Sequence, residues 1–202
     1  MSSDPSTFDS FAILVKELPF DCDMLEFERA LRAGMRSARN YLDDEIAAGN
    51  EVLDASYAGL IYSPVASNFG EVIAVVNLNR SPADRLVNAA AKVDWMLNNP
   101  GASMNNVPRF MPWLIGRGQF LWGHAALVCG FPGGGSGLSQ ENDRTVMEVI
   151  LKDVTDGIRQ HMAQRIATQR TASGKWSGDA GPRDEYKLIL DDIAAETFTQ
   201  VF

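Results

Sequence analysis

Between residues 24 and 46 the apolar side chains Met24, Phe27, Leu31, Met35, Ala38 and Leu42 recur every three or four positions, a spacing that a helix gathers onto one face. Such a helix has to bury that stripe against another element, and the next segments supply one. Residues 52–62 and 71–78 read as strands, the second carrying the β-branched run VIAVV expected of a buried strand. Separated by the loop 64–70, they predict an antiparallel hairpin. Asp21 or Asp23 caps the start of the helix and Gly49-Asn50 ends it. Arg29, Arg32, Arg36 and Arg39 form a second stripe, read as a solvated face beside Asp43, Asp44 and Glu45.

Ser81-Pro82 predicts a second helix over 83–97, with serine as N-cap and proline in the first turn. The stretch 100–112 holds three prolines and no period, so it is irregular. After it, 113–115 and 120–130 read as two strands joined across Gly116-Arg117-Gly118, and FPGGGSG at 131–137 reads as a flexible turn. Ser139 then caps a helix with Val146, Ile150, Val154 and Ile158 on one stripe, fading near Arg165. A glycine-rich linker over 168–183 leads to a short amphipathic helix carrying Tyr186, Ile189, Leu190 and Ile193. The predicted order, α-β-β-α-β-β-α and then an arm with a helix, defines an α/β chain of α+β type: a small antiparallel sheet with helices packed on it. Residues 1–166 form one ligand-binding domain, and 167–202 form a linker and helix suited to joining two subunits in a homodimer.

A formal charge of −8 argues against nucleic acid or an anionic membrane as partner, since both need clustered positive charge. No apolar run approaches the roughly 18 residues of a membrane helix. The first twenty residues lack the basic and apolar regions of a secretory signal, and Cys22 and Cys129, far apart in sequence, read as reduced thiols. These features predict a cytoplasmic protein. With two histidines in the chain, metal ligands are scarce, and no metal is expected.

Several motifs bear on chemistry. The glycines at 133–137 lack the Gly-Lys-Ser/Thr of a P-loop and the G-x-G-x-x-G of a dinucleotide turn, and Ser136 has no nucleophile elbow around it. His124, between Trp122 and Ala126, suits a general base, a haem ligand or a hydrogen-bonded core residue. His161 reads as structural. Lys92, among alanines in NAAAKVDWML, is either a desolvated catalytic amine or a stem that snorkels to water. Phe110, Trp113, Phe120 and Trp122, with Arg117 among them, supply apolar walls and a cation for a carboxylate or phenolate. Lys92 and His124 are therefore the catalytic candidates, and Arg117, Trp113, Phe120, Trp122 and Phe110 the substrate-binding ones.

The stretch FLWGHAALVCGFPGGGSGLSQENDRTVMEVI, with AVVNLNR and AAAKVDW upstream, resembles the GlcG/HbpS-like (haem-degrading) family over about residues 71–158. Lys92 and Asp143 match that family's lysine and helix-start aspartate, while Asn77 stands where it carries an aspartate. The resemblance implies a profilin-like domain, often oligomeric, that binds haem or small organic molecules. The strand–loop–helix ending is also similar to the close of a GAF domain. The expectation is a cytosolic protein of small-molecule metabolism that binds an aromatic or apolar organic acid. It acts either as a cofactor-free acid/base enzyme of lyase or isomerase type, or as a non-enzymatic haem-binding or GAF-like sensing module. Haem is the one cofactor weighed.

Overall fold

A computed structural model describes residues 9–65, 70–99 and 124–168. The chain divides into two compact units, residues 1–159 and 160–202; the described part of the second is the end of one helix. The elements are β1 (Ser10–Ile13), α1 (Met24–Ala47), β2 (Tyr57–Tyr62), β3 (Val72–Leu78), α2 (Arg85–Asn98), β4 (Ala126–Val128), β5 (Phe131–Ser136) and α3 (Gln140–Thr168). The strands form one antiparallel sheet in the order β1-β3-β2-β5-β4, and the fold is α+β as the sequence predicts. Among the described residues no helix is long and apolar enough to cross a membrane.

The predicted hairpin is present, with Leu60 opposite Val75 and Gly59 opposite Val76. Side chains alternate across the sheet. Leu60 and Tyr62 pack with Ala89 and Val93 of α2 on one face. Gly59 and Gly133 meet Met147 of α3 on the other. Helix α1 lies on that second face with α3: its buried stripe is Phe27, Leu31, Met35, Ala38 and Leu42. Gly34 approaches the backbone of Ile150, Gly157 approaches Ala30, and Ser37 donates to Asp153 at 2.6 Å. Val146, Ile150, Val154 and Ile158 of α3 are buried as expected. Phe20 stands edge-on to both Phe27 and Phe131.

Four features differ from the sequence reading. Strand β1 was not expected; its four residues are too few to show a period, and it is pinned from outside by Arg39, whose guanidinium makes a two-pronged contact with Asp9. That arginine is 12% exposed, so the stripe is not wholly solvated, although Arg29 and Arg32 pair at the surface with Glu26 and Glu28. Ser81 does not cap α2. Its N–H donates to Asn77 Oδ1 and its carbonyl accepts from Asn77 Nδ2, closing the turn at Asn79 and Arg80, and α2 starts at Arg85.

The largest correction concerns the end of the domain. Residues 100–123 lie outside the described residues, and within 124–130 the strand is Ala126–Val128. Its partner is the glycine segment itself: Phe131–Ser136 is a fully buried strand, not a flexible turn. The turn is Cys129-Gly130, at φ 50° and 88°, the positive pair that a two-residue hairpin requires. Glycine has little strand propensity of its own, so packing dictates this strand. A Cβ on Gly134 would lie 2.5 Å from the Ala89 carbonyl oxygen and 2.7 Å from Val93 Cγ2, and one on Gly135 would overlap the Tyr57 ring. Pro132, with no N–H to donate, falls one residue before pairing with β2 begins at Gly133.

Gly134→Ala therefore forces α2 away from the sheet. Overpacking of this kind costs about 1–3 kcal/mol, to be read as a lower urea midpoint with an unchanged m-value; an unaltered midpoint would show that the strand and helix are not in contact.

Candidate functional site

Helix α2 sends two cations, seven residues apart and hence on one stripe, to the junction between β5 and α3. Arg85 Nη1 donates to the carbonyls of Gly137 at 2.7 Å and Ser56 at 2.8 Å. Lys92 Nζ donates to the Gly135 carbonyl at 2.8 Å and to Asp143 Oδ2 at 2.7 Å. Pairing between β4 and β5 reaches only Gly133 opposite Ala126. Backbone groups alternate in direction along a strand, so the Gly135 carbonyl points to the side that β4 has vacated, and Lys92 serves it instead.

Lys92 and Asp143 are 2% and 6% exposed. The snorkelling reading of Lys92 is thus wrong: the stem passes the alanines to a buried carboxylate rather than to water. Asp143 also accepts the Leu138 N–H at 2.8 Å through Oδ1, and its carbonyl accepts from the Tyr57 hydroxyl at 3.3 Å. Burial pushes the Asp143 carboxyl up, while Lys92 and the Leu138 amide pull it down. Burial, with the charge of Asp143, drives the Tyr57 hydroxyl well above its ordinary range.

One face of α3 beyond this pair lines a cavity of about 490 Å³. Gln140, Glu141, Arg144, Thr145 and Glu148, spaced at helical intervals, form one wall, and His124, two residues before β4, contributes from the other side. Arg144 Nε donates to Glu148 Oε1 at 2.7 Å, and Thr145 Oγ1 donates to the Glu141 carbonyl. The His124 imidazole is held below its usual range, first by partial burial and then by the positive charges of Arg144 and Lys92; Glu148 acts in the opposite sense. At neutral pH it is uncharged, with one ring nitrogen free to accept a proton. A second hollow, of about 450 Å³, lies between β1 and α1 and is lined by Asp9, Ser10, Phe11, Ile13, Glu28 and Arg32; Arg32 covers the Phe11 ring at 4.7 Å.

Of the residues singled out from sequence, His124 stands at the cavity, and Lys92 lies in the buried pair, near enough for its charge to act on His124. Phe110, Trp113, Arg117, Phe120 and Trp122 lie outside the described residues. The cavity residues of α3, Gln140, Glu141, Arg144, Thr145 and Glu148, were missed. The available signal was Arg144 and Glu148 at i,i+4 on the flank opposite Val146 and Ile150. The six described lining side chains are all polar. Among the described residues no group of three metal-binding side chains comes together. No family model, curated protein or solved structure matches the chain.

Replacing Lys92 by methionine leaves a buried carboxylate unpaired, which costs about 3–5 kcal/mol. Lys92→Met/Asp143→Asn recovers most of that loss in urea unfolding. Without Lys92 the folded-state pKa of Asp143 rises further above its unfolded value, so the deficit of the single variant is largest at neutral pH and shrinks on acidification through that raised pKa. A deficit independent of pH would mean that Asp143 does not carry the charge.

Proposed function

We propose that this protein binds a small organic acid in the cavity between His124 and α3, as a ligand-binding domain of small-molecule metabolism. The observation that carries the reading is an uncharged, half-buried imidazole facing a polar helix wall with an arginine in it. Arg144 keeps guanidinium N–H groups beyond the one given to Glu148, and a carboxylate or phenolate can accept them. His124 is the proton acceptor. If the protein turns its ligand over, the chemistry is proton transfer of lyase or isomerase type with His124 as base, and the uncharged state of that imidazole at neutral pH supports this.

An aromatic ligand is favoured by composition, because Phe110, Trp113, Phe120 and Trp122, with Arg117, lead in sequence directly to His124. Membership of the GlcG/HbpS-like family is part of the proposal, supported by the motifs over 71–158 and by an antiparallel sheet with α2 on one face and α1 and α3 on the other. Cytoplasmic location is supported by the free thiol of Cys129 and by the absence of a membrane-crossing helix among the described residues. The charge of −8 supports a small molecule over nucleic acid, and the apolar stripe of the 184–198 segment supports a homodimer.

Calorimetry with a panel of aromatic carboxylates and phenols tests the site. Arg144→Ala should weaken the best ligand by about 1.5–3 kcal/mol, the range for a hydrogen bond to a charged group, with circular dichroism unchanged. An affinity indifferent to both Arg144→Ala and His124→Ala would place the ligand elsewhere.

A further inference from the structure

The fixed charges of the cavity bear on the form in which an acid can enter it. Its described lining carries two carboxylates, Glu141 and Glu148, against one cation, Arg144, so with an uncharged His124 it is net negative by one. The Arg144 charge is already shared with Glu148 at 2.7 Å. An incoming carboxylate would bring this described lining to minus two, and the like charges repel one another. His124 is the lining group whose protonation near neutral pH can offset that excess.

We propose that the cavity takes a weak organic acid together with one proton, which resides on His124 or is shared between His124 and the ligand. This rests on the reading of the cavity as the binding site and adds the chemical state of what is bound. The charged groups acting on His124 are Arg144 and Glu148 from α3 and Lys92 from α2, with Glu141 on the same wall. Partial burial first, and then Arg144 and Lys92, hold the imidazole below its usual range while the cavity is open to water. An anion placed between Arg144 and His124 offsets the first of these charges and accepts a hydrogen bond from the imidazolium, so both changes raise the affinity of His124 for a proton. The balance is simple: ligand anion and neutral imidazole combine with one proton released by the buffer acid, and no bond other than N–H or O–H is made or broken. A neutral carboxylic acid or phenol donating its O–H to the imidazole has the same composition, and the two descriptions share one pH dependence.

The ligand class is therefore acids with an ionisable carboxyl or phenolic hydroxyl, and a sulfonate, which cannot itself carry the proton, brings one in only where that proton resides on His124. Benzoate, 4-hydroxybenzoate and benzenesulfonate are suitable probes of the full-length protein, titrated calorimetrically in phosphate and in Tris at the same pH. The difference in heat between the two buffers counts the protons taken up. The expected result is uptake approaching one proton with benzoate or 4-hydroxybenzoate at neutral pH, with affinity rising about tenfold per pH unit as pH falls towards the free-state pKa of His124. His124→Gln keeps a hydrogen-bonding side chain but cannot titrate, so its residual binding should show no uptake and no such slope. Tight carboxylate binding with no uptake in the wild type, or a pH slope unchanged in His124→Gln, overturns the proton-coupled account and leaves the cavity as a binding site. Failure of every probe to bind between mildly acidic and mildly alkaline pH removes the cavity reading and this inference with it.

Discussion

Strand β5 is held where side chains would not fit. Gly134 lies against the backbone of Ala89 on one face of the sheet, and Gly133 lies against Met147 and Leu151 on the other. The chain can be sandwiched this closely only because it carries no Cβ at these positions, and the close approach brings α2 and α3 within reach of each other around the open end of the strand. Lys92 closes that gap, taking the Gly135 carbonyl and the Asp143 carboxylate together. A buried pair of this kind contributes little net stability against an apolar alternative, but it is costly to break from one side. Its role is to fix which turn of α3 faces which residues of the sheet edge.

That fixing positions the cavity. Asp143 sits in the first turns of α3, between Asn142 and Arg144, and the opposite flank of the same turns presents Gln140, Glu141, Arg144 and Thr145. On its inner side Asn142 is tied to Tyr41 of α1 at 2.6 Å and to Glu51 at 2.8 Å, and the Ser139 hydroxyl accepts the Asn142 N–H as the N-cap. The start of α3 is therefore held from α1, from α2 and from the connection into β2. A wall anchored on three sides keeps Arg144 and Glu148 in place beside His124, as a preorganised site for a charged ligand requires. Burial beside two cations leaves His124 uncharged, and that is the state in which it can accept a proton.

The helices were legible in the sequence wherever burial is one-sided. Phe27, Leu31, Met35, Ala38 and Leu42 announce α1, and Val146, Ile150, Val154 and Ile158 announce α3, because a 3.6-residue period survives in the choice of residues. The β2–β3 hairpin was legible for a similar reason, as VIAVV carries strand propensity of its own. Strand β5 was not, because its glycines are dictated by what lies above and below them, which no local pattern records. Lys92 was recognised as unusual among its alanines, but its partner is 51 residues away, and the choice between snorkelling and a buried pair is a tertiary one. His124 was picked out as a polar residue in an apolar stretch, whereas Arg144 and Glu148 look like any surface i,i+4 pair until His124 is placed opposite them.

The site depends most on β5 being a rigid, buried strand and not a glycine loop, and amide hydrogen exchange measures this directly. Gly134 and Ser136 stand opposite Leu60 and Ala58 of β2. Their amides should exchange only through global unfolding, with protection equal to that of the β2 and β3 core. Exchange at the rate of an exposed turn such as Gly49, while β2 and β3 stay protected, would contradict the clamped strand and the anchored α3 wall built on it.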